Sequence, residues 1–132
     1  MIGKIPEKIL NAILETIPIE ISVLDANDKV LAWNKHETRT FKRPTAVVGR
    51  DVRNCHPEKS RHKVEQIIDE MKAGKRDKAR FWIDLQSENM KKKMLIEYYA
   101  LRDEKRNYLG CLEASQDIIN LKSLEGEKRL LD

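Results

Sequence analysis

Four side chains in the sequence have the chemistry to ligate a metal ion or heme iron: His36, Cys55, His56 and His62. Heme iron takes histidine, cysteine, methionine or tyrosine as an axial ligand. Cys55 and His56 directly precede Pro57, where a helix is predicted to begin, and a helix amino terminus lowers the pKa of a nearby thiol. This placement makes both residues candidate ligands of heme iron or another metal, or Cys55 a candidate sensor of oxidants. The structural alternative is that His56 caps the helix and Cys55 is a small buried hydrophobic residue.

The number and spacing of these residues argue against other common centres. A closed zinc site takes four ligands and an iron–sulfur cluster normally takes four cysteines, whereas the chain has 2 cysteines, one of them in a predicted core strand. The sequence also has no phosphate-binding glycine run, no Gly-x-Ser-x-Gly and no His-Glu-x-x-His. Glu97 and Glu113 lie on separate predicted strands, where an exposed polar sheet face accounts for them. We therefore predict that the chain is not an enzyme.

Charge is abundant but mixed in sign along the 132 residues. Lys and Arg number 26 against 22 Asp and Glu, and charged residues make up 36% of the chain. The basic clusters at 59–63, 75–80 and 91–93 are interleaved with acids, which predicts a solvated face and no nucleic-acid partner. The apolar runs are too short for a membrane span of about 20 residues. Two widely separated cysteines fit a reducing compartment, so we expect a cytoplasmic protein.

Helical spacing of apolar residues predicts three helices. The first covers 6–17 and the third covers 117–131. The second begins at Pro57 and ends before Gly74, and its apolar stripe comprises Val64, Ile67, Ile68 and Met71. Short helical turns are expected over 34–56, where proline and glycine interrupt the pattern.

Alternating polarity predicts five strands, at 19–25, 29–33, 79–85, 94–101 and 108–115. Turn residues join the first two into a hairpin, and polar loops at 86–92 and 102–107 join the last three into a meander. Five antiparallel strands with helices between the second and third predict an α+β fold.

Several local motifs resemble the PAS domain family over about residues 8 to 120. They are the hairpin Ile21 to Asn34, Val48-Gly49-Arg50, Leu101-Arg102-Asp103-Glu104, Tyr108 to Glu113, and Asp117-Ile118-Ile119. Cys55-His56-Pro57 with Phe81-Trp82 resembles the PAS domains found carboxy-terminal to hemerythrin-like modules in anaerobic bacteria and archaea.

The resemblance implies a five-stranded antiparallel sheet whose concave face, covered by helices between 36 and 73, encloses a small pocket. It divides the chain into an N-terminal flanking helix (1–17), a PAS sensory domain (18–116) and a C-terminal signalling or dimerisation helix (117–132).

The resemblance also assigns candidate roles to individual residues. Heme-binding PAS sensors carry their axial histidine on the long helix, where His62 lies, although Lys63 occupies the family position. The alternative is that His62 is a surface residue between Arg61 and Lys63. The light-sensing branch has its reactive cysteine where this chain has Val52, so a flavin photoreceptor is not predicted. Trp82 is expected to line the pocket or to be covered by a partner. The predicted ligand-binding residues are Cys55, His56, His62 and Trp82, with heme as the leading cofactor candidate.

A sensory and regulatory function follows as an expectation from the resemblance: the pocket binds a small ligand or heme, and the flanking helices relay its occupancy in signal transduction. The alternative is a ligand-free module for protein–protein interaction, with the pocket filled by side chains. We expect a homodimer through the terminal helices, and a hemerythrin-like or other signalling module as partner. The apolar edges of those helices are Ile9, Ile13 and Ile17, and Leu121, Leu124 and Leu131.

Overall fold

A computed structural model describes residues 1–131 of the chain, and all of their side chains except those of residues 54 and 55. The elements in chain order are α1 (Glu7–Thr16), β1 (Glu20–Asp25), β2 (Val30–Trp33), α2 (Glu58–Lys72), β3 (Lys78–Ser87), β4 (Met90–Arg102) and β5 (Tyr108–Asp117). Single 3₁₀ turns form at Thr45–Val47, Val52–Cys55 and Leu121–Ser123.

The five strands form one antiparallel sheet in the order β2-β1-β5-β4-β3. The last strand of the chain is therefore the central one, and the amino-terminal hairpin pairs with it. The predicted strands and the α+β fold are confirmed. The predicted loop over 86–92 is wrong, because β3 and β4 continue to a pairing of Ser87 with Met90 and leave a two-residue turn. Lys91, Lys92 and Lys93 thus belong to a hairpin arm.

One face of the sheet, called here the inner face, is covered by α2. Val64, Ile68 and Met71 of α2 are buried against Leu24 and Cys111 of the sheet. Ile67, also predicted for this stripe, is half-buried. Gly74 follows the helix with φ +74°, a left-handed conformation that glycine adopts at low cost. The prediction of this helix from its apolar spacing is confirmed.

The amino-terminal helix α1 forms as predicted, but none of its side chains is buried in the part of the chain that is described. Its connection to the sheet is made by the buried Asn34. The Asn34 amide donates to the carbonyl oxygens of Leu14 (2.5 Å) and Ile19 (2.9 Å), and its Oδ1 accepts from the backbone N–H of Ile21 (2.7 Å). Ile9 and Ile13 remain exposed, so the homodimer through this helix stays a prediction.

The helix predicted over 117–131 is wrong for the described residues. Strand β5 continues to Asp117, whose carboxylate accepts from the backbone N–H of Ile119 (3.0 Å), and only one 3₁₀ turn follows. Gly126 (φ +60°) and Leu130 (φ +48°) adopt left-handed conformations that no helix contains. The apolar edge of this segment is exposed, and a short helix needs tertiary packing to be stable. Across residues 1–131, no helix has the length and hydrophobicity required to span a membrane.

The close approach of two central strands generates a prediction. Gly110 of β5 pairs with Asp25, and a Cβ at this position would overlap the carbonyl oxygen of Leu24. We expect Gly110→Ala to lower the free energy of unfolding by more than about 2 kcal/mol, because the strands must separate to accommodate the methyl group. Urea denaturation measures this change. Leu124→Ala, at a 74% exposed position in the terminal segment, is the control; equal losses in both variants would contradict the prediction.

Candidate functional site

A cavity of about 920 Å³ lies between the inner face of the sheet, α2 and the segment that precedes α2. Its apolar wall comprises Phe41, Pro44, Val47, Pro57, Val64, Ile67, Phe81, Ile83, Ile96 and the Tyr98 ring. Phe81 and Tyr98 stack with 5.7 Å between their ring centroids. Strand alternation explains this wall, because Phe81, Ile83, Ile96 and Tyr98 all face inward from the paired strands β3 and β4. The cavity is large enough for a small organic molecule.

Buried polar residues form the opposite wall of the cavity. Glu20 and Ser22 project from β1, and Glu113 and Ser115 project from β5. The register pairs Glu20 with Ser115 and Ser22 with Glu113. All four therefore share the inner face, directly under the segment 39–57 that carries Arg39, Arg43 and His56.

Arg39 is a structural member of this wall. Its guanidinium donates to the carbonyl oxygens of Phe41 (2.9 Å), Ile21 (3.0 Å) and Asn34 (3.0 Å), and to Ser22 Oγ (3.2 Å). Glu20 lies 3.8 Å from Arg39 Nε and accepts from the backbone N–H groups of Thr40 and Phe41. Burial lowers the pKa of Arg39, and the negative charge of Glu20 offsets part of that shift. These hydrogen bonds hold the beginning of the segment 39–57 against the inner face of the sheet.

Arg43, His56 and Glu113 form a second charged cluster in this wall, and some of their polar atoms are not hydrogen-bonded. Arg43 Nη2 donates to Glu113 Oε2 at 2.9 Å, and His56 Nε2 lies 3.5 Å from Glu113 Oε1. Arg43 Nε, His56 Nε2 and Glu113 Oε1 are all buried, and none of the three has a hydrogen-bond partner among the described residues. Buried polar atoms without partners are costly, and in native structures they mark functional groups or sites for bound molecules.

Tyr98 extends this polar group on the sheet side. Its ring is buried and belongs to β4, opposite Glu113 in the register. Burial, followed by the negative charge of Glu113, raises the pKa of the Tyr98 phenol far above its usual range. The phenol therefore remains protonated and can serve as a hydrogen-bond donor at any physiological pH.

The structure brings some of the predicted site residues together and separates others. His56 lines the cavity. Trp82 borders it at the edge strand β3, but alternation with the inward-facing Phe81 and Ile83 directs its indole to the outer face, where it is 62% exposed. His62 is exposed on α2 and is not part of the cavity wall. His36 is also exposed and accepts from Trp33 Nε1 at 3.3 Å. The side chain of Cys55 lies outside the described residues, so its role as a ligand stays a prediction.

The described residues of the cavity do not fit heme. An axial ligand must point into an apolar slot that holds the porphyrin ring. Of the three histidines, all described, His56 alone lines the cavity, and its Nε2 lies beside the Glu113 carboxylate. Among the side chains that the structure describes, no group of three or more His, Cys, Asp or Glu could hold a metal ion. The cavity wall suits an organic molecule better than an iron centre.

Sequence reasoning missed Arg39, Arg43, Glu20 and Glu113. It assigned Glu113 to an exposed polar face shared with Glu97, but the two carboxylates point to opposite faces. Glu97 accepts from Arg80 and Tyr99 on the outer face, whereas Glu113 lies inside. The alternation of polar residues in β1 and β5 is a signal that these residues share a face, but it does not tell which face is covered.

Comparisons with known proteins agree with this architecture. The sequence model of a PAS domain family matches residues 10–119. The C-terminal domain of a Streptococcus mutans protein is 33% identical, with a TM-score of 0.84 over 95% of this chain and 94% of that one. A PAS domain from Colwellia psychrerythraea (19% identity, TM-score 0.61) covers 86% of this chain and is itself covered to 97%. A sensory box sensor histidine kinase from Vibrio cholerae (11%, TM-score 0.57) has the same fold over 83% of this chain and 89% of that one.

A comparison with functionally curated proteins finds no significant match. The family match nevertheless extends from α1 through all five strands, and the Streptococcus mutans domain shares a third of its residues over nearly the whole chain. The chain therefore belongs to the PAS domain family, a family of sensory and signalling modules.

Proposed function

We propose that this PAS domain binds a small organic ligand in its cavity and relays the occupancy of that cavity as a signal. The observation that carries the proposal is a cluster of three buried polar atoms without hydrogen-bond partners on residues that line the cavity: Arg43 Nε, His56 Nε2 and Glu113 Oε1. A pocket with apolar walls and a few convergent polar groups is the usual form of a small-molecule site. A bound ligand would satisfy these atoms and bury its apolar body against Ile67 and Phe81.

The cavity volume favours this proposal over a ligand-free interaction domain. In a ligand-free domain, side chains are expected to fill the space between sheet and helix at the usual packing density of protein interiors. Here the side chains leave about 920 Å³ open, within the range of about 300–1,000 Å³ typical of ligand pockets. Docking of partners on the outer surface remains compatible with ligand binding.

The elements that hold the polar wall provide a path for the signal. Arg43 and His56 belong to the segment before α2, and Glu113 lies four residues before Asp117, the end of β5. A ligand that contacts all three bridges the loop and the central strand. It shifts the population of conformations to the extent that it binds one of them better. The carboxy-terminal segment after β5 is therefore the proposed output. A hemerythrin-like module as partner, the absence of nucleic-acid binding and of enzymatic activity, and a cytoplasmic location stay predictions.

The buried ion pair generates a prediction about stability. Arg43→Met leaves the Glu113 carboxylate buried without its cation, and we expect a loss of about 3 kcal/mol in the free energy of unfolding. The double variant Arg43→Met/Glu113→Gln should lose less than the sum of the single variants, because neither charge remains unpaired. Chemical denaturation measures both. Arg129→Met breaks the exposed pair with Glu127 and should change stability by less than about 0.5 kcal/mol. Strictly additive losses at 43 and 113 would contradict a coupled pair.

Filling the cavity tests the proposed function directly. Native mass spectrometry of the purified protein should show a small-molecule adduct, or a screen of organic metabolites should raise the melting temperature. Ile67→Trp places an indole in the cavity and should abolish both effects while the domain stays folded. Leu109→Trp makes a similar change at an exposed position outside the cavity wall and should leave both effects intact.

Three results would contradict the proposal: no adduct and no stabilising compound, a ligand equally well bound by the Ile67→Trp variant, or a Soret absorption band showing heme. All three results are measured on the same preparations of the purified wild-type and variant proteins. A dimer without any ligand would favour the interaction module instead.

A further inference from the structure

The hydrogen bond between Arg43 and Glu113 uses one carboxylate oxygen and one of the five N–H donors of the guanidinium. A guanidinium and a carboxylate commonly pair through two parallel N–H···O bonds. Here one bond forms, from Arg43 Nη2 to Glu113 Oε2. Arg43 Nε and Glu113 Oε1 are buried without hydrogen-bond partners in the described structure, and the titratable His56 Nε2 lies 3.5 Å from Glu113 Oε1. One donor and one acceptor of the same ion pair are thus left for a third group inside the cavity.

The charges of the buried wall are already balanced. Glu20 lies against Arg39 at 3.8 Å, and Glu113 lies against Arg43 at 2.9 Å. The side chains of these four residues are each at most 13% exposed. A ligand that buried a net charge here would have no free counter-ion, and an uncompensated charge in a protein interior is strongly unfavourable.

Other groups around the cavity do not alter this balance. Tyr98, Ser22 and Ser115 are neutral donors or acceptors, and His56 is neutral when its imidazole is unprotonated. Lys42, Arg50 and Lys63 line the cavity from the solvent side and are exposed, so water and salt screen their charges. They could accompany an anionic tail at the mouth, but they cannot neutralise a charge at the buried wall.

We propose that the ligand carries an uncharged head group with an N–H beside a carbonyl oxygen, as in an amide, a lactam or a urea. Its N–H donates to Glu113 Oε1, its carbonyl oxygen accepts from Arg43 Nε, and its apolar body lies against the aromatic and aliphatic wall. This inference rests on the proposed function and specifies the chemical class of the ligand.

Three small probes that share a phenyl ring and differ in the head group test the inference: benzamide (neutral), benzoate (anionic) and benzamidine (cationic). Protein-observed NMR titrations of the full chain give the dissociation constants and the residues affected. All three titrations are run at one pH, so that only the charge of the head group differs among the probes. We expect benzamide to bind at least about tenfold more tightly than either charged probe, with shifts at residues 43 and 113.

Two substitutions should change the preferred charge in opposite directions. Glu113→Gln leaves the charge of Arg43 unmatched, so benzoate should become the preferred probe. Arg43→Gln leaves the charge of Glu113 unmatched, so benzamidine should become preferred. Glu127→Gln, in the exposed pair with Arg129, is the matched control and should preserve the wild-type order. The wild-type order is decisive by itself if either substitution unfolds the domain.

The outcomes separate this inference from the proposed function. Tighter binding of benzoate or benzamidine to the wild-type protein, lost in Ile67→Trp, overturns the neutral head group and leaves a ligand-binding cavity. Binding of none of the probes also overturns the head-group inference, and the native mass spectrum then decides the proposed function separately. An unchanged order of affinities in both charge variants would show that the ligand does not contact the Arg43–Glu113 pair.

Discussion

The hydrogen bond between Arg43 and Glu113 joins two residues that are 70 positions apart, and the cavity depends on it. Arg43 belongs to the segment between β2 and α2, which contains only single 3₁₀ turns, and Glu113 belongs to the central strand. Together with Arg39, this contact holds the segment above the inner face of the sheet. Val47 and Val52 anchor later parts of the segment in the hydrophobic core. The part around Arg43 is instead held over the polar residues of the sheet by charged side chains, and an open volume remains beneath it. The same contact also fixes which polar atoms face that volume.

The polarity of the sheet explains why the site could not be predicted from the sequence. In an antiparallel sheet with one covered face, apolar residues usually point to the core and polar residues to solvent. Strands β1 and β5 reverse this rule next to the cavity: the inner face carries Glu20, Ser22, Glu113 and Ser115, and the outer face carries Ile21, Val23, Leu112 and Ala114. The sequence shows that polar and apolar residues alternate in these strands, but it does not show which of the two sets faces the covered side of the sheet. Only the position of the covering segment, set by contacts distant in the chain, decides that these polar residues lie inside.

The parts of the fold that were predicted correctly are those specified locally. The amino-terminal hairpin and α2 follow from alternation, turn residues and apolar spacing within about 15 residues each. The carboxy-terminal segment has a similar apolar spacing, yet Leu121 and Leu124 are exposed and no helix forms. The difference is tertiary: α2 buries Ile68 and Met71 against the sheet, whereas the terminal leucines have no described surface to pack against. A periodic pattern shows which residues would share a helical face, but the helix is stable only when that face is covered.

If stability were the only requirement, apolar residues would be expected in place of the polar wall. Replacing a buried ion pair with apolar residues of similar volume is often neutral or stabilising, and each buried polar atom without a partner costs free energy. This domain retains Arg43, His56 and Glu113, with three unpaired polar atoms, at the edge of a large open volume. Proteins depart from consistent packing mainly where function requires it. Two of these atoms, His56 Nε2 and Glu113 Oε1, lie 3.5 Å apart on different elements. All three residues border the cavity, so a group that enters from solvent can pair with them. In the proposed function, the cost of an incomplete wall in the empty domain favours the occupied state, and a ligand that binds one conformation better shifts the population toward it.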